Sequence, residues 1–400
     1  MTLTTTSPLV EKTRINSIDL MRGIVMVIMA LDHVRDFFHA DANVFDPTNL
    51  EKTNPVLFFT RWITHFCAPT FVMLSGVAIR ISEQRKTKKE LSLFLLTRGL
   101  WLLVIEAIVM RFSFFFNFYY DFSFLQVIFA IGASMIVLAA LVHLPYKVIA
   151  AIGIILLLGH NAFDGHRLLP EDAGFVWWTI LNQAGFIQID PQHALIAAYP
   201  LLPWLSIMLL GYIVGGMYRS SFDSDARRKY LMITGVSFIA LFILLRYYNI
   251  YGDPAHWSPQ KNFIFSVMSF VNTTKYPVSL VYTLMTIGPV LVILSWMERA
   301  DLSWLKPLNV FGRVPLFYYI LHFYLIHSVS LIAYMITYDK SFAEVDLHFN
   351  VSFGGIPFGV GYSLGVVYLV WISIVTFLYP LCVWYNNYKS THKHWWLSYL

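Results

Sequence analysis

Charge is what this sequence has least of. Asp, Glu, Lys and Arg make up only 13% of the 400 residues, whereas soluble domains carry about 25%. A chain with so few charges cannot cover a solvated surface. With 58% hydrophobic residues and a mean hydropathy of +0.62, it is not a water-soluble globule. Cysteine is scarcer still: Cys67 and Cys382, both inside apolar runs, supply neither a disulfide framework nor a metal quartet, and no metal is expected. The net charge of +5 is no more than the basic loops of a membrane protein account for, so nucleic acid is not a partner. No Walker sequence, dinucleotide glycine fingerprint, His-Glu-x-x-His or nucleophile elbow is present. ATP-driven transport within this chain and soluble-type hydrolase chemistry are thereby excluded. The first ten residues are polar and the first apolar run starts near Ile18, so no cleavable signal is expected.

Apolar runs and aromatics are abundant instead. A spanning helix needs about 20 mostly apolar residues, and ten such runs occur, at 18–38, 56–80, 91–111, 122–143, 145–160, 199–218, 230–250, 274–296, 311–337 and 356–385. The division around His143-Leu144-Pro145 sets a range of nine to eleven. Cytoplasmic loops collect Lys and Arg. With the N-terminus inside, 18 of the 28 basic residues fall on the inner side, eight fall outside, and Arg22 and Arg61 lie within spans. The expected fold is an all-α integral membrane protein, a polytopic bundle of about ten transmembrane helices with both termini cytoplasmic. Its expected organisation is a cytoplasmic tail at 1–17, one transmembrane domain at 18–385 and a cytoplasmic tail at 386–400. The long outer loops at 39–55, 160–198, 251–273 and 339–355 carry His, Asp, Asn and Trp, and substrate-binding surface is expected there.

Ionisable groups in hydrocarbon are costly and mark function by default. The first span carries Asp19, Arg22, Asp32, His33, Arg35 and Asp36. Arg22 and His33 are 11 residues apart, about 1100° of rotation and about 16.5 Å along a helix, so they share a face. Asp19 lies one turn before Arg22 and can pair with it; Asp36 lies one turn beyond His33 and can orient its imidazole. A histidine beside a carboxylate is a ready general base. The competing reading is juxtamembrane charge held by snorkelling.

The line Arg14-x-x-Ser17-x-Asp19-x-x-Arg22-Gly23, followed by ten residues and His33, resembles the opening of the transmembrane acyltransferases. That group includes the heparan-alpha-glucosaminide N-acetyltransferase family and the acyltransferase-3 family, whose signature is Arg, ten residues, His. Residues 67–76 (CAPTFVMLSG), 199–204 (YPLLPW), 272–277 (NTTKYP) and 311–319 (FGRVPLFYY) are similar to the bacterial branch of the first family, so the resemblance spans nearly the whole chain. It implies an enzyme of ten or eleven helices that moves an acetyl group from cytoplasmic acetyl-CoA, as co-substrate, across the bilayer. The acceptor would be the hydroxyl or amine of a small sugar or envelope glycan. It further implies His33 as the active histidine and the bacterial cytoplasmic (inner) membrane as the location. In the lysosomal branch the essential histidine lies between the first two helices, where this chain offers His39 and, on the second helix, His65.

Other residues carry weight by position. Arg61 and His65 are four apart on the second helix, at the depth of His33, with Pro69 expected to kink that helix. His322 lies mid-membrane, and five residues separate it from His327, a poor spacing for one metal. Glu106 is buried by depth and needs a partner from another helix. Arg313, behind Gly312 on the inner side, suits a phosphate of coenzyme A, and Arg22 and Lys275 complete the expected donor contacts. The catalytic set is thus His33, Asp32 and Asp36, with His65, His39, Arg61 and His322 as alternative or supporting groups and Asp19 as a structural ion pair. The alternative function is a proton-coupled secondary transporter or exporter using the same charges. Oligomeric state and acceptor identity are not readable from the sequence.

Overall fold

The first apolar run folds as a single helix, α1 (Asn16–Phe38), in a computed structural model that describes residues 15–349, 352–392 and 394–398. The second run forms α2 (Pro55–Thr64) and α3 (Cys67–Ser82), where Asn54 caps the Leu57 amide at 3.0 Å and Pro55 fills the first helical position. The break between them falls at His65 and Phe66. Both residues keep helical dihedrals, and Pro69, four beyond His65, cannot bond the His65 carbonyl, so the expected kink falls here. A Thr87–Glu90 capping box opens α4 (Lys88–Val104), which passes through a π-helical stretch, Ile105–Met110, into α5 (Arg111–Phe115).

The run expected at 122–143 divides. Phe122–Leu125 is strand β1, and the helix α6 covers only Val127–Leu141. Then come α7 (Tyr146–Gly159), the short α8 (Phe175–Trp178), β2 (Gly185–Asp190), β3 (His193–Ala197) and α9 (Leu201–Gly215). Strand β3 is central, parallel to β1 and antiparallel to β2, so residues 160–198 carry a small sheet beside the bundle. Asp223 caps α10 (Ser224–Tyr248), Asn262 caps α11 (Phe263–Val271) and Ser279 caps α12 (Leu280–Met297). The helix expected from 274 begins at 280, because residues 272–279 are a loop. A five-residue α13 (Asn309–Arg313) breaks at Val314 into α14 (Pro315–Thr337); β4 (Ser352–Phe353) and β5 (Ile356–Pro357) precede α15 (Leu364–Thr391).

Eight helical stretches among the described residues are long and apolar enough to cross a membrane. The charged α1 and the shorter apolar α6 complete ten runs. The chain is an all-α polytopic membrane protein. α9 and α12 are its interior, with Trp204, Tyr212 and Tyr282 fully buried, while α7, α10 and α15 turn residues such as Ile155, Val236 and Leu369 outward. Helices approach closely through paired glycines: Gly99 meets Gly132 between α4 and α6, and Gly235 meets Gly288 between α10 and α12.

The loops segregate to two faces. On one, Gln84 reaches Ser220, Lys88 reaches His143 and Leu144, and Glu298 joins Arg227 to Ser17. On the other, Asn272 reaches Thr48, Asn117 reaches Leu347 and His39 bridges to Tyr362. The first of these, the basic face, holds the loops in which sequence reading concentrated Lys and Arg. Lys12 and Arg14 lie outside the described residues.

Candidate active site

The two ends of α1 build two halves of one site. At the basic end, Gly23 packs so closely on α13 and the residues before it that an added Cβ would collide with the carbonyl of Leu308. A Cβ on Gly312 would collide with that of Asp19. Backbone meets backbone here, which only glycine permits. The contact brings Arg22 beside Arg313: Arg22 Nη1 lies 3.5 Å from Asp19 and donates to the Gly312 carbonyl at 3.3 Å, and Arg313 Nε lies 3.7 Å from the other oxygen of Asp19. Asp19 pairs with both arginines, so the ion pair expected within α1 is in fact shared with α13.

Arg22 and Arg313 line a cleft of about 310 Å³ together with Arg98 and Lys389. Its deeper wall is apolar, formed by Met26 and Met29 of α1, Phe71, Leu102 and Ile128, and closed towards His33 by Tyr319. The Tyr319 ring stands 6.2 Å from the His33 ring. Sequence reading counted Arg98 and Lys389 only as topological charges. The signal that could have found the junction is the mirrored pair Arg22-Gly23 and Gly312-Arg313.

At the far end, His33 does not take the partner expected of it. Its Nδ1 lies 2.6 Å from Nε2 of His322 on α14. His322 Nδ1 lies 3.0 Å from the carbonyl of Tyr318, which can only accept, so that nitrogen carries the proton and Nε2 is left as an acceptor. His33 must then donate through Nδ1, and its Nε2 keeps the lone pair. That is the tautomer of a general base, fixed by a second histidine instead of a carboxylate. His322 is fully buried, whereas His33 is partly exposed, its ring centroid 4.0 Å from that of Phe323 with the planes tilted by 32°.

The carboxylates serve elsewhere. Asp36 pairs with Arg35 at 2.5 Å, not with His33, and Asp32 pairs with Arg35 at 2.9 Å and with Arg61 of α2. One turn of helix separates Asp36 from His33, but Arg35 is the stronger attractor for a carboxylate in a low-dielectric site. Arg61 thereby ties α2 to α1, and Arg35 is part of the same network. His65 is buried at the end of α2; its carbonyl accepts from the Tyr282 hydroxyl at 2.7 Å and its Nδ1 has no partner among the described residues. His39 lies just beyond α1, where its Nδ1 accepts from the Asp41 amide at 3.3 Å. Burial lowers the pKa of His39 below the usual imidazole value; Asp41 opposes that shift and Arg35 adds to it.

Lys275 belongs to this far end, not with the arginines of the cleft. Its charge acts on Asp32, His33 and His65, and its ammonium lies 5.1 Å from the Tyr276 ring. His327 bonds the carbonyls of Ser113 and Gly354 at 2.8 and 2.7 Å and is a structural clasp. Glu106 finds its partner at the start of α6, where it accepts from the Gln126 amide at 2.7 Å. No group of three or more metal-ligating side chains occurs among the described residues.

One helix, α1, thus carries both a cation-lined cleft with an apolar wall and, at its far end, a partly exposed histidine. No curated protein matches the chain. A family model described as heparan-alpha-glucosaminide N-acetyltransferase, catalytic, matches residues 14–250, more than half of the chain and the part that carries α1, Arg61 and the cleft residues Phe71, Arg98 and Ile128. The chain belongs to the heparan-alpha-glucosaminide N-acetyltransferase catalytic-domain family, a family of membrane acetyltransferases.

Proposed function

We propose that this protein takes an acetyl group from acetyl-CoA at the basic face and transfers it to a hydroxyl or amine presented at the opposite face. The single observation that carries the reading is the placement, on one face of α1, of an arginine in the cleft and a histidine base at the far end. In this reading the basic face is cytoplasmic with both termini on it, residues 18–385 act as one catalytic unit, and the membrane is the bacterial cytoplasmic membrane.

The phosphates of the donor meet Arg22, Arg98, Arg313 and Lys389, the cations lining the cleft. The pantetheine arm follows Met26 and Met29 past Tyr319, a path about as long as the 16.5 Å between Arg22 and His33. His33 Nε2 removes the proton of the acceptor O–H or N–H as the acceptor atom attacks the thioester carbonyl carbon. The C–S bond breaks, and the proton held by His33 returns to the departing sulfur, giving free coenzyme A and the acetylated acceptor. His322 holds the imidazolium in place during that interval by accepting its Nδ1–H.

The test is release of coenzyme A from acetyl-CoA by protein in proteoliposomes, with a hexosamine as acceptor. Wild type should turn over and His33→Ala should lose about 10²- to 10⁴-fold. Proton-coupled uptake of the hexosamine without donor, with no coenzyme A released, would replace this reading by that of a transporter.

A further inference from the structure

The cluster around His33 holds one more cation than it has carboxylates to neutralise. Arg35 and Arg61 share Asp32 and Asp36, and these four balance. Lys275 is left over. It is 8% exposed, and among the described residues no carboxylate lies within 4 Å of its ammonium. Its close neighbours are two tyrosines: it hydrogen-bonds the neutral hydroxyl of Tyr276, whose ring is 5.1 Å away, and the Tyr199 ring lies at 5.9 Å. An ammonium withdrawn from water and given no counter-charge is costly to keep. Its position is nevertheless built with care.

The loop that carries it, residues 272–279, is held from four sides. Arg246, 2% exposed, donates to the carbonyls of Ser269 (2.9 Å), Phe270 (2.9 Å) and Asn272 (2.7 Å), which finish α11. Asp253 accepts from the Thr274 amide (3.0 Å), the Thr274 hydroxyl (2.7 Å) and the Ser279 hydroxyl (3.1 Å). His160 lies 2.9 Å from the Val278 carbonyl, and Asn161 accepts from the Leu280 amide at 2.8 Å. A loop pinned this thoroughly keeps Lys275 where it is, when a long flexible side chain on a free loop would turn to water. The next residue, Tyr276, is 44% exposed, so the loop reaches a surface that a ligand can approach. His65 Nδ1, buried and unpartnered, belongs to the same cluster.

We infer that Lys275 is the anchor of an anion subsite beside His33, and that it takes a carboxylate or phosphate carried by the acceptor. Acetyl-CoA phosphates do not suit it, because the cations of the cleft are at the other end of α1. The ligand is an acceptor with one acidic substituent near the hydroxyl or amine that receives the acetyl group. Bound there, the substituent supplies the counter-charge that Lys275 lacks and sets the nucleophile against His33 Nε2.

This inference rests on the acetyl-transfer reading for its role, but the subsite can be tested apart from turnover. The first measurement compares kcat/KM for glucosamine 6-phosphate and glucosamine, with acetyl-CoA as donor. Wild type should prefer the phosphorylated sugar by about 10- to 100-fold, the range for a charge-assisted contact. Lys275→Met should bring the ratio near one and Lys275→Arg should keep most of it. A second measurement, without donor, follows thermal unfolding of the detergent-solubilised protein in glucosamine 6-phosphate, inorganic phosphate or glucosamine. Stabilisation by the phosphorylated sugar beyond that by glucosamine, lost in Lys275→Met, supports the subsite even where no acetyl transfer occurs. Stabilisation by inorganic phosphate that survives Lys275→Met, or a wild-type ratio at or below one, overturns it.

Discussion

Replacing His322 with leucine tests whether the base at His33 depends on its partner histidine. The substitution keeps an apolar side chain of similar bulk on α14 and removes the acceptor that stands 2.6 Å from His33 Nδ1. His33 then has a buried N–H with nothing to donate to, and its imidazolium loses the group that disperses its charge. An unsatisfied buried donor costs about 1–3 kcal/mol. At about 1.4 kcal/mol per decade that is about a 5- to 150-fold loss of kcat, with KM for acetyl-CoA unchanged because the cleft cations are untouched. His322→Gln, whose amide oxygen can accept the same proton, should regain part of the loss. The assay is coenzyme A release in proteoliposomes at saturating donor, with thermal unfolding as the control for folding. A kcat for His322→Leu within twofold of wild type, in a background where His33→Ala is inactive, would refute the paired-histidine argument.

Further outcomes follow from the same geometry. Arg313→Gln or Arg98→Gln should raise KM for acetyl-CoA by about tenfold and leave KM for acetyl-pantetheine, which lacks the nucleotide, unchanged; equal effects on both donors would show that the cleft does not hold the phosphates. Gly23→Ala should abolish donor binding measured by titration calorimetry, since its Cβ collides with the Leu308 carbonyl and the backbone has no side chain to yield. Arg61→Met leaves the mostly buried Asp32 with Arg35 alone, and should lower stability in thermal unfolding by about 1–3 kcal/mol, the cost of a lost hydrogen bond to a buried charged group. His39 has a lowered pKa in the folded protein, so its contribution to stability is full above its unfolded value of about 6.5 and falls as pH drops through the lower folded value. His39→Gln should flatten that acid-side decline in a Tm-versus-pH series.

The sequence showed the helices more clearly than their joints. Hydropathy located the ten runs because a span must be apolar along its length, and the sorting of Lys and Arg separated the faces for the same reason. It overran at 122–125, where the apolar Phe-Ser-Phe-Leu forms strand β1, and at 274–279, where the polar Lys275 loop adjoins the span that follows. Composition alone cannot distinguish the first of these from a span, whereas Lys275 and Pro277 mark the second as a joint. The facing of Arg22 and His33 followed from helix geometry alone. The partner of His33 did not, because His322 lies 289 residues away and only packing of α1 on α14 brings it in. Asp36 was the natural expectation one turn away, but local spacing carries no information about Arg35, whose side chain takes the carboxylate first.

Two helices, α1 and the α13–α14 pair, are joined at both ends and nowhere need a third element to do it. The lower rung is Gly23 on Gly312 with Asp19 between two arginines; the upper rung is His33 on His322. The second rail is jointed at Val314, with Gly312 and Arg313 on one side and His322 on the other. A rotation of α14 about that joint stretches the bond between the histidines and releases the tautomer that leaves His33 Nε2 basic. In the acetyl-transfer reading proposed above, the seating of α14 on α1 therefore sets the basicity of His33.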